Sequence, residues 1–523
     1  MDTTDAAEKP VPTRSPYVFG IDLGTCNSVI AVSMRGVTEA IPIEAYPSCP
    51  SVVCVRDDGD VKVGRAAKSL LLMEPENTVD SIKREMGTEW TKQFRGRPDQ
   101  IYTPADISAE ILSKLVAGAE ESGKDLMGTP HYVVGCVPAN FNDAQKRATE
   151  QAIELANIEK LWLLEEPTAA ALAYAVDKEV VDQTILVYDL GGGTFDVAVL
   201  KVTSTKEEGD HHSAKFDFLA KEGVPRLGGD DFDRKIMEMA AAKLLEESKI
   251  DILDTAKDQG ISQRAIREAQ QRLKEVAEAA KMELSEAESA TITISNLIKD
   301  ESGTMHSLDM EITRAQFDDA IREMLMQSKD AVERALAAAK ITIADISRII
   351  LVGGSTRIPL VKTMLKEMFG KEPWGDTNPD TVVARGAAIY GATLNDPEEK
   401  KWFTIHNIVS HHLGMEAAGG RFVRLLEKGA EIPAEAPLTA TKEFTNPRDN
   451  MTELRFSVYQ SDREAQFVRS EGVECVGEFF LKGLPPRPAG QTHVDVTFQI
   501  DQQNLLTVTA ESDVSGELKI ARS

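Results

Sequence analysis

FGIDLGTCNSVIAV (19–32) and VYDLGGGTFDVAVL (187–200) decide the fold. Each reads as a strand, Asp-Leu-Gly, a tight Gly/Thr turn and a second strand, and the aspartates Asp22 and Asp189 lie 189 − 22 = 167 residues apart. One such hairpin is an ordinary turn; two of one design predict two related lobes facing a cleft. Glycine lets backbone approach a ligand and take positive φ, and successive exposed N–H groups make an anion-binding nest. Gly24-Thr25 and Gly191-Gly192-Gly193-Thr194 therefore read as phosphate loops. Asp22, Asp189 and, further on, Asp196 are placed to hold Mg²⁺ directly or through its waters.

Outward from the hairpins, VVGCVPAN (133–140), WLLEEPTAAALAYAV (162–176) and RIILVGGSTRIP (348–359) alternate with helical stretches up to about Leu394. That alternation is α/β, with ligands expected at the carboxyl ends of strands. The chain has no G-x-x-x-x-G-K-[ST] run, and the hairpin glycines join strand to strand, so neither a P-loop nor a Rossmann dinucleotide site fits. Gly353-Gly354 can let a flat ring approach the backbone, and Arg357 can stack on it. In the helical stretch 262–288, Glu278, Lys281 and Ser285 fall close to one face and could hydrogen-bond a ribose and purine; a solvated, ion-paired face is the plain alternative. After Asn395 the charged break NDPEEKK leads into short strands. ELRFSVYQ (453–460) alternates, and in VDVTFQID (494–501) Val494, Val496, Phe498 and Ile500 share a face, as expected of a compact all-β unit.

Lys plus Arg number 59 and Asp plus Glu 85 in 523 residues, a net charge of −26. That length suggests about three domain-sized units. The acidity argues against nucleic-acid and anionic-membrane partners, both of which need clustered cations. The five cysteines, Cys26, Cys49, Cys54, Cys136 and Cys475, are scattered and form no Cys-x-x-Cys, as for reduced thiols in the cytoplasm. Cys49 and Cys54 lack a second ligand pair for zinc. His411 and His412 alternate to opposite faces of a strand, which suits surface or core histidines better than metal ligands. Residues 1–16 read as a disordered tail without the apolar stretch of a signal peptide.

Together these stretches resemble the 70-kilodalton heat-shock chaperones of the DnaK type. The matches are GIDLGTCNS, SIKREMG, VPANFNDAQKRAT, EEPTAAALAYA, VYDLGGGTFDVAV, LGGDDFD, RLKEVAEAAKMELS, LVGGSTRIP and NPDTVVARGAA, with LGMEAAGG, LPPRPAG and VDVTFQIDQQNLLTVTAES following less closely. The resemblance implies an actin-like ATPase domain of two ribonuclease H-like lobes at 17–394, an interdomain linker at 395–407 and a β-sandwich peptide-binding domain at 408–523. It implies Lys83, Glu166, Thr194 and Asp196 as catalytic residues. The ATP or ADP contacts it implies are Gly24, Thr25, Cys26, Gly191–Gly193, Thr194, Gly228 and Gly229 at the phosphates. For adenosine they are Glu278, Lys281, Ser285, Gly353, Gly354, Ser355, Arg357 and Asp380. Asp22 and Asp189 take Mg²⁺. The implied partners are unfolded polypeptides, a J-domain co-chaperone and a nucleotide exchange factor.

The departures are specific. Cys26 stands for a usual Thr, Asn140 for an aromatic and Lys146 for an Arg, while Pro138 of the family's switch is kept. In place of an acidic residue and a Val-Leu-Leu-Leu-like run, the linker reads Trp402-Phe403-Thr404-Ile405-His406, still able to dock as an added strand but more weakly. Met415, Ala417 and Ala418 fall at the substrate cleft and its arch, and Leu454 and Phe456 in a cleft-lining strand. The sequence stops where the family's helical lid would begin, so a lidless member is expected. The motifs favour an ATP-hydrolysing chaperone that binds extended apolar segments. The alternative is an ATP-binding co-chaperone or regulatory subunit with little hydrolysis.

Overall fold

The computed structural model describes residues 14–123, 128–178, 182–206, 212–254, 259–374, 378–395, 403–433, 436–512 and 521–522. Most of the expected N-terminal tail, Trp402 and residues 396–401 of the expected linker lie outside them. The two hairpins are present as read. Val18–Asp22 pairs antiparallel with Asn27–Met34, and Gln183–Leu190 with Phe195–Lys206. Each hairpin is the centre of a sheet. A parallel strand flanks the first strand of each, Tyr132–Val137 in one sheet and Arg348–Val352 in the other. An antiparallel strand flanks the second, Val37–Ala40 and His212–Val224 respectively. This common order is the duplication that the repeated sequence predicts.

Two helices lock the sheets together. Glu166–Lys178 starts with Pro167 in its first turn, where proline's missing N–H costs nothing. Its run from Ala169 to Ala175 is buried throughout. Val382–Asn395 crosses it so closely that a Cβ on Gly386 would stand 1.7 Å from Ala169 O. The same helix lies on the first sheet, where a Cβ on Gly20 would come within 2.2 Å of Ala384 O. Small residues thus let backbones approach on both sides of this helix. One apolar core runs from Val18 and Val134 through these alanines to Val187 and Val352, spanning both sheets.

Residues beyond 407 form two antiparallel sheets on one core, a β-sandwich. Val494, Val496, Phe498 and Ile500 all point into that core, as their alternation predicts. The expected linker is an added strand: Phe403–His406 pairs parallel with His212–Val224 at the edge of the second sheet. The polar residues that were expected to weaken this docking are accommodated. Thr404 faces solvent, and His406 Nδ1 lies 3.1 Å from Glu431 and 3.5 Å from Asp217.

The sandwich itself sits on the first sheet and on the helix Asp143–Leu155. Lys146 Nζ donates to Asn504 O at 3.2 Å, Arg147 Nη2 to Leu506 O at 2.6 Å and Leu506 N to Asp143 Oδ1 at 3.2 Å. Beneath them Lys221 donates to both Glu165 and Asn407, and Asn504 Nδ2 donates to Glu165 Oε1 at 3.1 Å. One buried ion pair therefore joins both sheets, the linker strand and the sandwich. Burial lowers the affinity of Lys221 and Lys146 for their protons against the pull of Glu165, bringing Lys146 down to about 8.

Losing one partner of a buried ion pair costs roughly 3–5 kcal/mol, because the other charge stays buried alone. Glu165→Ala is therefore expected to release the sandwich from the sheets, read as a larger radius of gyration in solution scattering. An unchanged scattering profile would mean that the pair does not hold the units together.

Candidate active site

The two Asp-Leu-Gly turns meet at the mouth of the cleft. A Cβ on Gly192 would stand 2.3 Å from Cys26 Sγ, and one on Gly193 2.7 Å from Thr25 Oγ1. A third turn closes on them: a Cβ on Gly228 would come within 2.5 Å of the Gly192 backbone, and one on Gly229 within 2.9 Å of Ser355 Oγ. The positive φ expected of the hairpin turns is not found. None of Gly24, Gly191, Gly192, Gly193, Gly228 and Gly229 has positive φ; a Cβ would run into backbone at Gly24 and Gly228 and into neighbouring side chains at Gly192, Gly193 and Gly229. Gly353 alone among the glycines assigned to the site is left-handed, at φ 82°, with Leu190 O in the place of a Cβ.

Lys83 and Glu166 come together in the cleft, Nζ to Oε1 at 2.6 Å, with both side chains about nine-tenths buried. Ile82–Glu85 is a single 3-10 turn, and Glu166 begins a helix, so both side chains stem from short, fixed backbone. Around them are three further carboxylates, Asp189 and Asp196 buried and Asp22 partly so. Burial, and then Glu166, pushes Asp22 and Asp196 up to about 7, and Asp189 rises well above its usual range for the same reasons. Burial opposes the charge of Lys83, yet Glu166 and Asp22 outweigh it and hold the ammonium above its ordinary range. One buried lysine thus faces four acids.

That imbalance is the test of fit for a nucleotide with its metal. Among the described residues no group of three His, Cys, Asp or Glu side chains is set to cage a metal ion. Mg²⁺ commonly keeps several waters and takes one or two carboxylates plus phosphate oxygens. Asp22 and Asp189 beside the three glycine turns fit that mode. Arg84 Nε, buried beside these turns, has no hydrogen-bond partner among the described residues.

The adenosine candidates are brought to the other side of the same turns. In the helix Gln263–Leu284, Ile266, Ala269, Leu273, Ala277, Ala280 and Leu284 are buried at helical spacing, which turns Glu278 and Lys281 away from the core. Glu278 bonds Lys68 of the first lobe at 2.8 Å; Lys281 bonds Asp233 at 2.8 Å and Gly229 O at 3.1 Å. Ser285 Oγ donates to Lys281 O at 3.4 Å, one turn back on its own helix. Arg357 is half exposed and paired with Asp380 at 2.7 Å, which leaves its guanidinium plane open at the rim.

Sequence reasoning missed several partners. Arg84 crosses the cleft to Asp231 at 2.6 Å and to the Gly193 carbonyl at 3.0 Å. Ser81 and Cys26 share Asp230, at 2.8 and 3.3 Å. Ser81 and Arg84 lay inside the quoted SIKREMG stretch and Asp230 and Asp231 inside LGGDDFD, but nothing local says that the two stretches touch. Of the surface or core positions expected for His411 and His412, both take buried ones, though His411 precedes the strand that His412 begins rather than alternating within it. His411 holds Asp462 at 2.7 Å, and His412 Nδ1 accepts from Lys428 N at 3.0 Å. Met415, Leu454 and Phe456 correct an expectation. Alternation turns them into the sandwich core, with Phe444 edge-on to Phe456, rather than along an open cleft.

This arrangement, a duplicated sheet closing on a lysine, four acids and three glycine turns, defines a nucleotide-hydrolysing protein with an appended β-sandwich. The model of the Hsp70 protein family matches residues 18–521. The chain is 40% identical over 508 residues to the chaperone protein DnaK of Thermotoga neapolitana, covering 96% of this chain and 80% of that one. It is 39% identical to those of Thermosipho africanus, over 96% and 79%, and Halobacterium salinarum, over 96% and 74%. The chain belongs to the Hsp70 family, which couples an actin-like ATPase to a β-sandwich for substrate. It is an ATP-dependent molecular chaperone and hydrolyses ATP. No observation favours the regulatory-subunit alternative. No helix among the described residues is long and apolar enough to cross a membrane.

Burial raises the thiols of Cys26, Cys49, Cys54 and Cys136 above their ordinary range, whereas Cys475 is exposed. The reactive form of cysteine is the thiolate. A disulfide reagent at pH 7.5 is therefore expected to titrate one thiol rapidly in the native protein and all five after denaturation. A second fast thiol in the native protein would show that the cleft around Cys26 opens freely.

Proposed function

We propose that residues 17–394 bind and hydrolyse ATP, that 395–407 carry the signal and that 408–523 take extended apolar polypeptide. The observation that carries the catalytic assignment is the buried Lys83–Glu166 pair beside Asp196, at the junction of the two glycine turns. Lys83 places its ammonium at the γ-phosphate and the attacking water. Glu166 fixes that ammonium, while Asp196 and Thr194 receive and orient the water's protons. Phosphoryl transfer needs positioning and charge stabilisation rather than covalent catalysis, and these groups supply both. Gly24, Thr25, Cys26, Gly191, Gly192, Gly193, Gly228 and Gly229 line the phosphates. Glu278, Lys281 and Ser285 hold the ribose and purine, with Gly353, Gly354, Ser355, Arg357 and Asp380 around the ring. Asp22 and Asp189 would hold Mg²⁺, partly through water. Bound there, the ion neutralises phosphate charge and relieves the crowding of acids.

The neighbouring acid, Glu165, reads the other domain. Because Glu165 and Glu166 are consecutive, a shift of the strand end that repositions one moves the other. The partners we assign are unfolded polypeptides, a J-domain co-chaperone and an exchange factor, in the cytoplasm.

Lys83→Ala is expected to leave ATP affinity nearly intact and to lower single-turnover hydrolysis by roughly 10²–10³, the scale for removing one transition-state group. Hydrolysis at the parent rate would remove Lys83 from catalysis. Arg357→Ala is expected to weaken ATP and ADP alike, since it acts on the base; calorimetry that finds ADP affinity unchanged would take Arg357 out of the site.

A further inference from the structure

We propose that Asn140 is a positioning residue for the hydrolysis step: it fixes the Asp196 carboxylate across the cleft so that this acid faces the attacking water. The inference rests on the catalytic reading of Lys83, Glu166 and Asp196 above. Two donors of Asn140 converge on one oxygen: Nδ2 lies 2.8 Å, and the backbone N 3.3 Å, from Asp196 Oδ1. An asparagine in a turn commonly bonds its own backbone. Here the amide instead reaches out of its own lobe, since Asn140 follows the strand Tyr132–Val137 of the first sheet and Asp196 belongs to the second.

Space is reserved for it. Asp196 faces Gly223 on the neighbouring strand, and a Cβ on Gly223 would stand 1.6 Å from Asn140 Nδ2. The amide therefore fills the place of a side chain on the second sheet. Its own backbone is fixed on both sides. Phe141 N bonds Pro138 O at 3.1 Å, and Asn142 with Gln145 forms a capping box that starts the next helix.

The placement matches the role. Asn140 shares with Lys83, Thr194 and Asp196 one wall of a cavity of about 330 Å³ whose other wall is the sandwich around His411 and Asp462, and none of the residues assigned to adenosine borders that cavity. A carboxylate left without these donors could rotate within its buried site. A hydrogen bond to a charged group held only in the closed cleft aligns it without contacting the base. The two lobes then have to be closed for the acid to be aimed, which ties hydrolysis to closure rather than to binding.

The test is a double-mutant cycle on the full chain, reading single-turnover ATP hydrolysis and, by calorimetry, ATP affinity. Asn140→Ala and the equal-shaped Asn140→Asp are each expected to slow hydrolysis roughly ten- to a hundred-fold, the usual range for one charge-assisted hydrogen bond. ATP affinity should stay within about two-fold of the parent. Gly223→Ala should reproduce the slow phenotype by evicting the amide. In an Asp196→Ala background, Asn140→Ala should cause no further loss, because its effect passes through Asp196. Parent-like hydrolysis in Asn140→Ala, or an equal loss with and without Asp196, would overturn the proposal. If Lys83→Ala is slow while Asn140→Ala is not, the catalytic reading stands and only the positioning role falls. If neither is slow, the catalytic reading itself falls.

Discussion

Two consecutive acids, Glu165 and Glu166, sit buried where a strand becomes a helix, and each is given one lysine. Successive residues across that junction point in opposite directions, so Glu166 meets Lys83 in the ATP cleft while Glu165 meets Lys221 at the seam between domains. Neither carboxylate can be solvated where it is, and neither can be left unpaired without a large cost. The surrounding architecture follows from supplying those two cations. Lys83 arrives from the first lobe and Lys221 from the second. The linker's Asn407 and the sandwich's Asn504 complete the hydrogen bonding at the second pair.

The cleft carries the opposite imbalance. Asp22, Asp189, Asp196 and Glu166 share one lysine, and the crowding raises three of these acids toward neutrality. A protein that meant only to be stable would not gather four acids here, three of them buried. The arrangement is poised for cations to arrive with a ligand, and ligand binding is then linked to folding stability through those same groups.

The hairpins were legible because everything that makes them is local: a strand, an acid, a glycine turn and a second strand within fourteen residues. The same holds for the alternating strand from Val494 to Ile500 and for the helix that presents Glu278 and Lys281. The glycines were legible as glycines, but the positive φ expected of the hairpin turns is absent, and the close approach of Gly192 and Gly193 to Cys26 and Thr25 of the other hairpin leaves no trace in local φ preferences. Arg84 with Asp231, and Lys221 with Glu165, were hidden for the same reason: each joins segments that only the folded chain brings together. Met415, Leu454 and Phe456 were assigned from resemblance, and strand alternation, visible in the sequence, already turned them inward. Asn140 was noticed only as a departure from an aromatic, with no hint that its amide would reach Asp196.

The helix Val382–Asn395 has a bearing on how the protein is made. Its Ala384 lies against Gly20, so a strand synthesised early is covered by a helix synthesised late. At about 5–20 residues per second, a gap of roughly 360 residues takes on the order of 20–70 s to synthesise. For that interval the apolar face around Val18 and Val134 has no cover of its own. A nascent chain of this protein therefore passes through a long stage in which it presents the kind of surface that chaperones bind, and is itself a candidate client until residue 395 has emerged.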